Sequence, residues 1–279
     1  MGAMGKRIGF GTVMVAALAA LLVWDHHLAV AGMVGWPLAG LAAVLIAGGY
    51  IEYARLAEAA DLPAIPLVGI PAGIALALLP VWAQRTAWPA GDLALLVLAV
   101  AVAGTFLTQM AAFRLDRAAR RVAGTLFGVL YLGALAGMLL AIRVRFGTAA
   151  LVWVLAAIKA MDIGAYFTGT AIGRHKIIPW LSPGKSWEGL AGGLVLTAIV
   201  AVALNRVLGL DLAIPAAAVS GLVLGVVGQV GDLCESLLKR DAGRKDSAAL
   251  IPGFGGVLDL VDSPLVAAPV GYLLLAVLS

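Results

Sequence analysis

Apolar residues in this chain come in long unbroken runs, without the short alternations that mark the half-buried elements of a soluble domain. A helix needs about 20 apolar residues to cross a bilayer, and runs near that length fall at 8–24, 28–50, 64–83, 93–113, 122–142, 148–172, 188–205, 212–231 and 263–279. The pattern predicts an all-α integral membrane protein with about nine transmembrane helices. Lys6 and Arg7 precede the first run as they would in a signal peptide, but no clear small-residue cleavage site comes before Trp24 and Asp25. That run is therefore read as a span.

The polar segments set an orientation. With the N-terminus in the cytoplasm and sides alternating, the inner segments hold Lys6, Arg7, Arg55, Arg114, Arg117, Arg120, Arg121, Arg174, Lys176, Lys185, Lys239, Arg240, Arg244 and Lys245, fourteen of the nineteen cations. The outer segments hold Arg85, Arg143, Arg145 and Arg206, and Lys159 lies within the sixth run. This is the bias of the positive-inside rule, and it leaves the C-terminus outside. Composition agrees: 63% of the 279 residues are apolar and 12% are charged, against about 25% charged in soluble domains. The net charge of +4 therefore matters through its placement, and the single cysteine, Cys234, excludes an internal disulfide.

Polarity is lopsided. Residues 1–150 read as a lipid-facing scaffold of transmembrane helices with short loops. Residues 151–279 read as the catalytic region, with cytoplasmic loops at 173–188 and 232–262. In "IKAMDIGAYFTG" (158–169), Lys159, Asp162 and Tyr166 share one helix face. An ionisable group at mid-membrane costs about 3 kcal/mol or more and usually faces a functional cavity. The plainer alternative, an ion pair that only joins two helices, gains little over apolar packing.

"GRHKIIPWLSPGKSWEG" (173–189) offers Arg174, Lys176 and Lys185, with Ser182 and Ser186 as N-caps for the helix that follows. That setting suits a phosphate, although the positive-inside rule alone would also put cations there. Its Gly-Lys-Ser is no P-loop, because the glycine required five positions before Gly184 is Pro179.

In residues 228–263, Asp232 ends an apolar run, and Glu235 and Ser236 sit one turn on. Lys239, Arg240, Arg244 and Lys245 follow, beside Asp246, and a glycine turn then returns Asp259 and Asp262 to the membrane on one helix face. Mg2+ prefers carboxylate oxygens and keeps water or phosphate oxygens as further ligands. Carboxylates, cations and a glycine turn together fit a metal-bound phosphate substrate. A merely solvated charged loop would not need its aspartates at the membrane border.

The run Ser236-x2-Lys239-Arg240-x4-Lys245-Asp246, then Pro252-Gly253-x-Gly255-Gly256-x2-Asp259-x2-Asp262, resembles the signature of the CDP-diacylglycerol synthases, or phosphatidate cytidylyltransferases. So do Asp162…Tyr166…Gly169, Ser182-Pro-Gly-Lys185-Ser-x-Glu188-Gly and Gly231-Asp232-x2-Glu235-Ser236. The resemblance covers roughly residues 155–263; the N-terminal half is similar only as a set of spans. The chain departs from the family at two places: Phe254 replaces a histidine between the glycines, and Leu260 replaces an arginine after the first loop aspartate. The first change removes an imidazole base and the second a phosphate contact.

The resemblance implies a nucleotidyltransferase of phospholipid biosynthesis in a bacterial inner membrane. Such an enzyme moves CMP from CTP to phosphatidic acid, giving CDP-diacylglycerol and pyrophosphate. It implies Mg2+ on Asp232, Asp259 and Asp262, and a triphosphate on Lys239, Arg240 and Lys245. Lys159, Asp162 and Lys185 would line the cavity where lipid and nucleotide meet, with Asp246 among the catalytic groups. Tyr166, Ser182, Ser186, Ser236, Gly255 and Gly256 would contact substrate. The implied partners are CTP, phosphatidic acid and the bilayer, with no nucleic acid; a homodimer is left open. Two other readings stand beside it: a CTP-dependent kinase of a polyprenol- or phytol-type lipid, and a cation-coupled transporter using Lys159 and Asp162. The lopsided polarity speaks against the transporter.

Overall fold

The computed structural model describes residues 3–113, 115–248 and 255–278. Arg114, Pro252, Gly253 and Phe254 lie outside the described residues. The helices are α1 (Ala3–Val30), α2 (Trp36–Ala59), α3 (Pro66–Trp82), α4 (Ala90–Ala111), α5 (Ala118–Gly128), α6 (Leu135–Ile172), α7 (Trp187–Val207), α8 (Ile214–Asp241) and α9 (Leu258–Leu278). Helix starts follow local rules. A proline occupies the first turn of α2 and of α3, where its missing N–H costs nothing. Asp92 sits in the first turn of α4, where the helix dipole favours a negative charge.

Among the described residues, eight helical stretches are long and apolar enough to cross a membrane. One of them, Ala118–Ile172, runs for 55 residues. It joins α5 to α6 through a π-helical stretch at Val129–Ala134. A straight helix of that length would reach about 80 Å, far beyond a hydrocarbon core of about 30 Å. Gly147 interrupts it with φ 90 and ψ 177, a backbone conformation open to glycine. The break falls between the fifth and sixth predicted spans, so the expected nine and observed eight differ at this one joint.

The structure corrects two local expectations. The loop after α6 contains an antiparallel hairpin, β1 (Lys176–Ile178) and β2 (Ser182–Ser186). Only Ser186 caps α7, its Oγ accepting the Gly189 N–H at 3.2 Å; Ser182 lies in the hairpin, too far upstream to cap. In addition, α8 continues ten residues past the predicted end of its span, to Asp241. Leu, Glu, Lys and Arg are good helix formers, so the change in polarity there does not end the helix.

The chain forms two compact units, residues 1–144 with 238–260, and residues 145–237 with 261–279. In the first, polar contacts join helix ends that alternating spans would put on one side. Arg143 Nε lies 2.5 Å from Asp25 Oδ2, both buried. Arg85 donates to the Gly32 carbonyl at 3.1 Å and lies over the Trp36 ring. Asp61 pairs with Arg117 at 2.8 Å and also with Arg120.

In the second unit small residues let helices approach closely. A Cβ at Gly225 would stand 3.3 Å from Met161, and one at Gly228 would stand 3.0 Å from Ile158. A Cβ at Gly231 would stand 3.0 Å from the Ser263 Cα. In lipid, where apolar side chains gain little by leaving the solvent, such close backbone packing drives association. It brings the polar face of α8 within hydrogen-bond reach of α6 and α9.

Candidate active site

Within the second unit a chain of polar groups crosses three elements. Lys159 Nζ is 3.1 Å from Asp162 Oδ2 on α6, as the i, i+3 spacing predicts. Gln229 on α8 donates from Nε2 to Asp162 Oδ1 at 3.0 Å. Its Oε1 accepts from Lys185 Nζ at 2.8 Å, and its backbone carbonyl accepts from the same ammonium at 3.1 Å. Lys185 closes on Asp232 Oδ2 at 2.6 Å. Both ends of the Gln229 amide are thus used, one facing an anion and the other a cation. Lys185 belongs to this network, which accounts for Gly-Lys-Ser without a P-loop.

Asp232 also belongs to a carboxylate cluster. Asp232, Glu235 and Asp262 each place an oxygen within 4.8 Å of the others. Asp232 and Glu235 share a face of α8 by i, i+3 spacing, and Asp262 comes from α9. Glu235 and Asp262 are buried. Three carboxylates this close repel one another unless a cation offsets them. Lys185 supplies one positive charge, and an all-oxygen donor set suits a hard divalent ion. Glu235 was not among the metal ligands expected from sequence, although its spacing from Asp232 was a usable signal.

The first unit holds a second cluster. Asp259 Oδ1 is 2.7 Å from Lys239 Nζ. Its Oδ2 accepts from Ser247 Oγ at 2.6 Å and from the Gly256 N–H at 2.8 Å. Among the described residues, the expected metal set of Asp232, Asp259 and Asp262 is thus drawn differently: Glu235 joins Asp232 and Asp262, and Asp259 takes Lys239. Glu52, on α2 and missed in the sequence, accepts from the Val257 and Leu258 N–H groups at 2.8 and 2.9 Å. The signal for it was a carboxylate placed in a helix of membrane-spanning length.

The other expected residues are scattered. Tyr166 is half exposed with its ring against Phe167. Ser236 is half-buried on α8, and Arg240 donates to the Arg244 carbonyl at 3.1 Å. Lys245 and Asp246 are exposed. Gly255 has φ 91, and a Cβ there would stand 2.6 Å from Asp259 Oδ2. At the hairpin, Glu188 accepts from the Arg174 and His175 N–H groups, each at 3.2 Å, tying the loop to the start of α7.

Comparisons with known proteins point the same way. A stretch of 123 residues is 43% identical to a phosphatidate cytidylyltransferase of Haemophilus influenzae, covering 43% of each chain. A stretch of 135 residues is 40% identical to the Bacillus subtilis protein of that name, covering 48% of this chain and 50% of the relative. A stretch of 118 residues is 45% identical to the Pseudomonas aeruginosa one, covering 42% of this chain and 44% of the relative. The matches thus span half or less of the length of these curated relatives. The family match is far longer, running over residues 5–278, and on that extent the chain belongs to the cytidylyltransferase family.

Proposed function

We propose that this protein transfers CMP from CTP to phosphatidic acid, releasing pyrophosphate and forming CDP-diacylglycerol. The observation that carries the reading is the convergence of Asp232, Glu235 and Asp262 beside Lys185 on membrane-type helices. Family membership supports the nucleotide chemistry, and the names of the relatives support the lipid acceptor.

In the proposed reaction a phosphate oxygen of the lipid forms a bond to the α-phosphorus of CTP. The bond from that phosphorus to the bridging oxygen breaks, and pyrophosphate leaves with the electron pair. The lipid phosphate is largely ionised near neutral pH, so no base has to remove a proton, and Phe254 in place of histidine is tolerated. Both reactants are anions, so alignment and charge neutralisation are the main needs. Asp232, Glu235 and Asp262 would hold a divalent ion, Mg2+ by their oxygen chemistry, which would supply positive charge to offset that of the phosphates. Asp259 is kept as a further carboxylate of the reaction, with Lys239 as its counter-ion. Lys239, Arg240 and Lys245 hold the triphosphate. Lys159, Asp162 and Lys185 line the lipid phosphate's position, with Gln229 orienting the last two. Tyr166, Ser182, Ser186, Ser236 and Asp246 keep the supporting roles the motif implies.

The catalytic chemistry is assigned to residues 151–279 and the lipid-facing scaffold to residues 1–150. The N-terminus and the segment that links the end of α8 to the start of α9 face the cytoplasm of a bacterial inner membrane, where CTP is available. The test is to incubate the purified protein in phospholipid with CTP, phosphatidic acid and Mg2+. The expected products are pyrophosphate and a CDP-lipid. Release of CDP with a phosphorylated alcohol would overturn the reading in favour of a lipid kinase.

A further inference from the structure

Glu52 is 1% exposed, within a helix of membrane-spanning length. A carboxylate so placed needs donors, since an uncompensated buried charge is costly. It has three. Its Oε1 accepts from the Val257 N–H at 2.8 Å, and its Oε2 accepts from the Leu258 N–H at 2.9 Å and lies 3.1 Å from Ser247 Oγ. The two amides belong to the start of α9, where the first N–H groups have no carbonyl of their own helix to bond. The same Ser247 hydroxyl lies 2.6 Å from Asp259 Oδ2. Gly256 is bare for a related reason: a Cβ there would collide with Ser247 Oγ and the Glu52 carboxylate.

We propose that Glu52 is a positioning residue for the start of α9: its carboxylate caps that helix and, through Ser247, sets the carboxylate of Asp259. The N-terminal half of the chain would then hold part of the reaction machinery in place, which no motif in the C-terminal half indicates. Only an acceptor on both oxygens fits, because glutamine would turn an NH2 group toward a donor. The catalytic part of the inference rests on the cytidylyltransferase reading; the capping part does not.

The test uses the purified full chain in phospholipid with two readouts. The first is hydrogen exchange of the Val257 and Leu258 amides. Glu52→Gln should speed it about tenfold, the loss of a buried hydrogen bond, while exchange in α8 at residues 220–228 stays unchanged. The second is kcat for CDP-lipid formation, read against KM for phosphatidic acid. A misplaced reaction group costs turnover, so Glu52→Gln should lower kcat about tenfold, with KM for phosphatidic acid unchanged. Ser247→Ala, which leaves the cap on α9 in place, should lower kcat in the same direction without faster exchange at Leu258. It covers the case in which Glu52→Gln does not fold. Unchanged exchange in Glu52→Gln would overturn the capping. An unchanged kcat in both variants, or a raised KM with kcat kept, would overturn the positioning. If the wild-type protein formed no CDP-lipid, the functional reading would fail, and the exchange measurement would still decide the cap.

Discussion

Lys185 Nζ stands 2.6 Å from Asp232 Oδ2, and Gln229 carries the contact on to Asp162. The pair thus ties the hairpin to carboxylates on α8 and α6. Lys185 thereby sets a positive charge against the cluster of Asp232, Glu235 and Asp262.

Removing that charge should therefore act on chemistry more than on binding. Lys185→Met is expected to lower kcat about 10²-fold, the scale of a single electrostatic contribution, with the fold kept. Lys185→Arg retains the charge but not the point geometry, and should recover part of the loss. Product formation from CTP and phosphatidic acid checks both.

Charge should matter more than shape at the carboxylates. Asp262→Asn and Glu235→Gln should each raise the Mg2+ requirement, because a metal held by fewer negative charges binds more weakly. Asp259→Asn should lower turnover by about 10²-fold. Activity should vanish with EDTA and return with Mg2+, measured as CDP-lipid formed; full activity in EDTA would remove the metal roles.

Gln229 offers a test of the network itself. In Gln229→Leu both Asp162 and Lys185 lose a partner, and each lost bond to a charged group is worth about 1.5–3 kcal/mol. Turnover should drop by at least about tenfold. The same change combined with Asp162→Asn should cost less than the two separate losses added, because the residues share one interaction. Strict additivity in that cycle would show that Gln229 and Asp162 act independently.

Stability should depend on a different pair. Asp25 and Arg143 are both buried, so Asp25→Ala leaves an unpaired buried cation and should destabilise the fold by about 3–5 kcal/mol. Asp25→Leu with Arg143→Met should cost much less, since a buried pair can be replaced by apolar packing. Thermal unfolding in detergent measures this.

The orientation can be read with cysteine labels on a Cys234→Ala background. Lys245→Cys should react with a membrane-impermeant maleimide from the cytoplasmic side, and Asp211→Cys from the opposite side; both positions are exposed. The reverse pattern would invert the topology.

The sequence by itself determined the helical membrane architecture, because the length of an apolar run is a local property and bilayer thickness is a fixed yardstick. It also determined the Lys159–Asp162 pair, whose i, i+3 spacing is set within one helix. The family could be recognised from spaced motifs in the C-terminal half. Local pattern also separated the spans on either side of Gly147, where the backbone leaves helical geometry, but could not tell that the upstream one would carry a π-helical stretch at Val129–Ala134. Nor could it tell that a short polar loop would pair with itself as a hairpin. The partners across elements were decided by tertiary structure alone. Glu235 joins Asp262, Gln229 bridges Asp162 and Lys185, and Glu52 caps a helix some two hundred residues further along the chain. The reason lies in the solvent. In lipid most faces of a helix are apolar, so hydropathy does not say which face turns to which neighbour. Rotation and register are set by where small residues such as Gly225, Gly228 and Gly231 let backbones close, and by which buried polar groups find partners when they do.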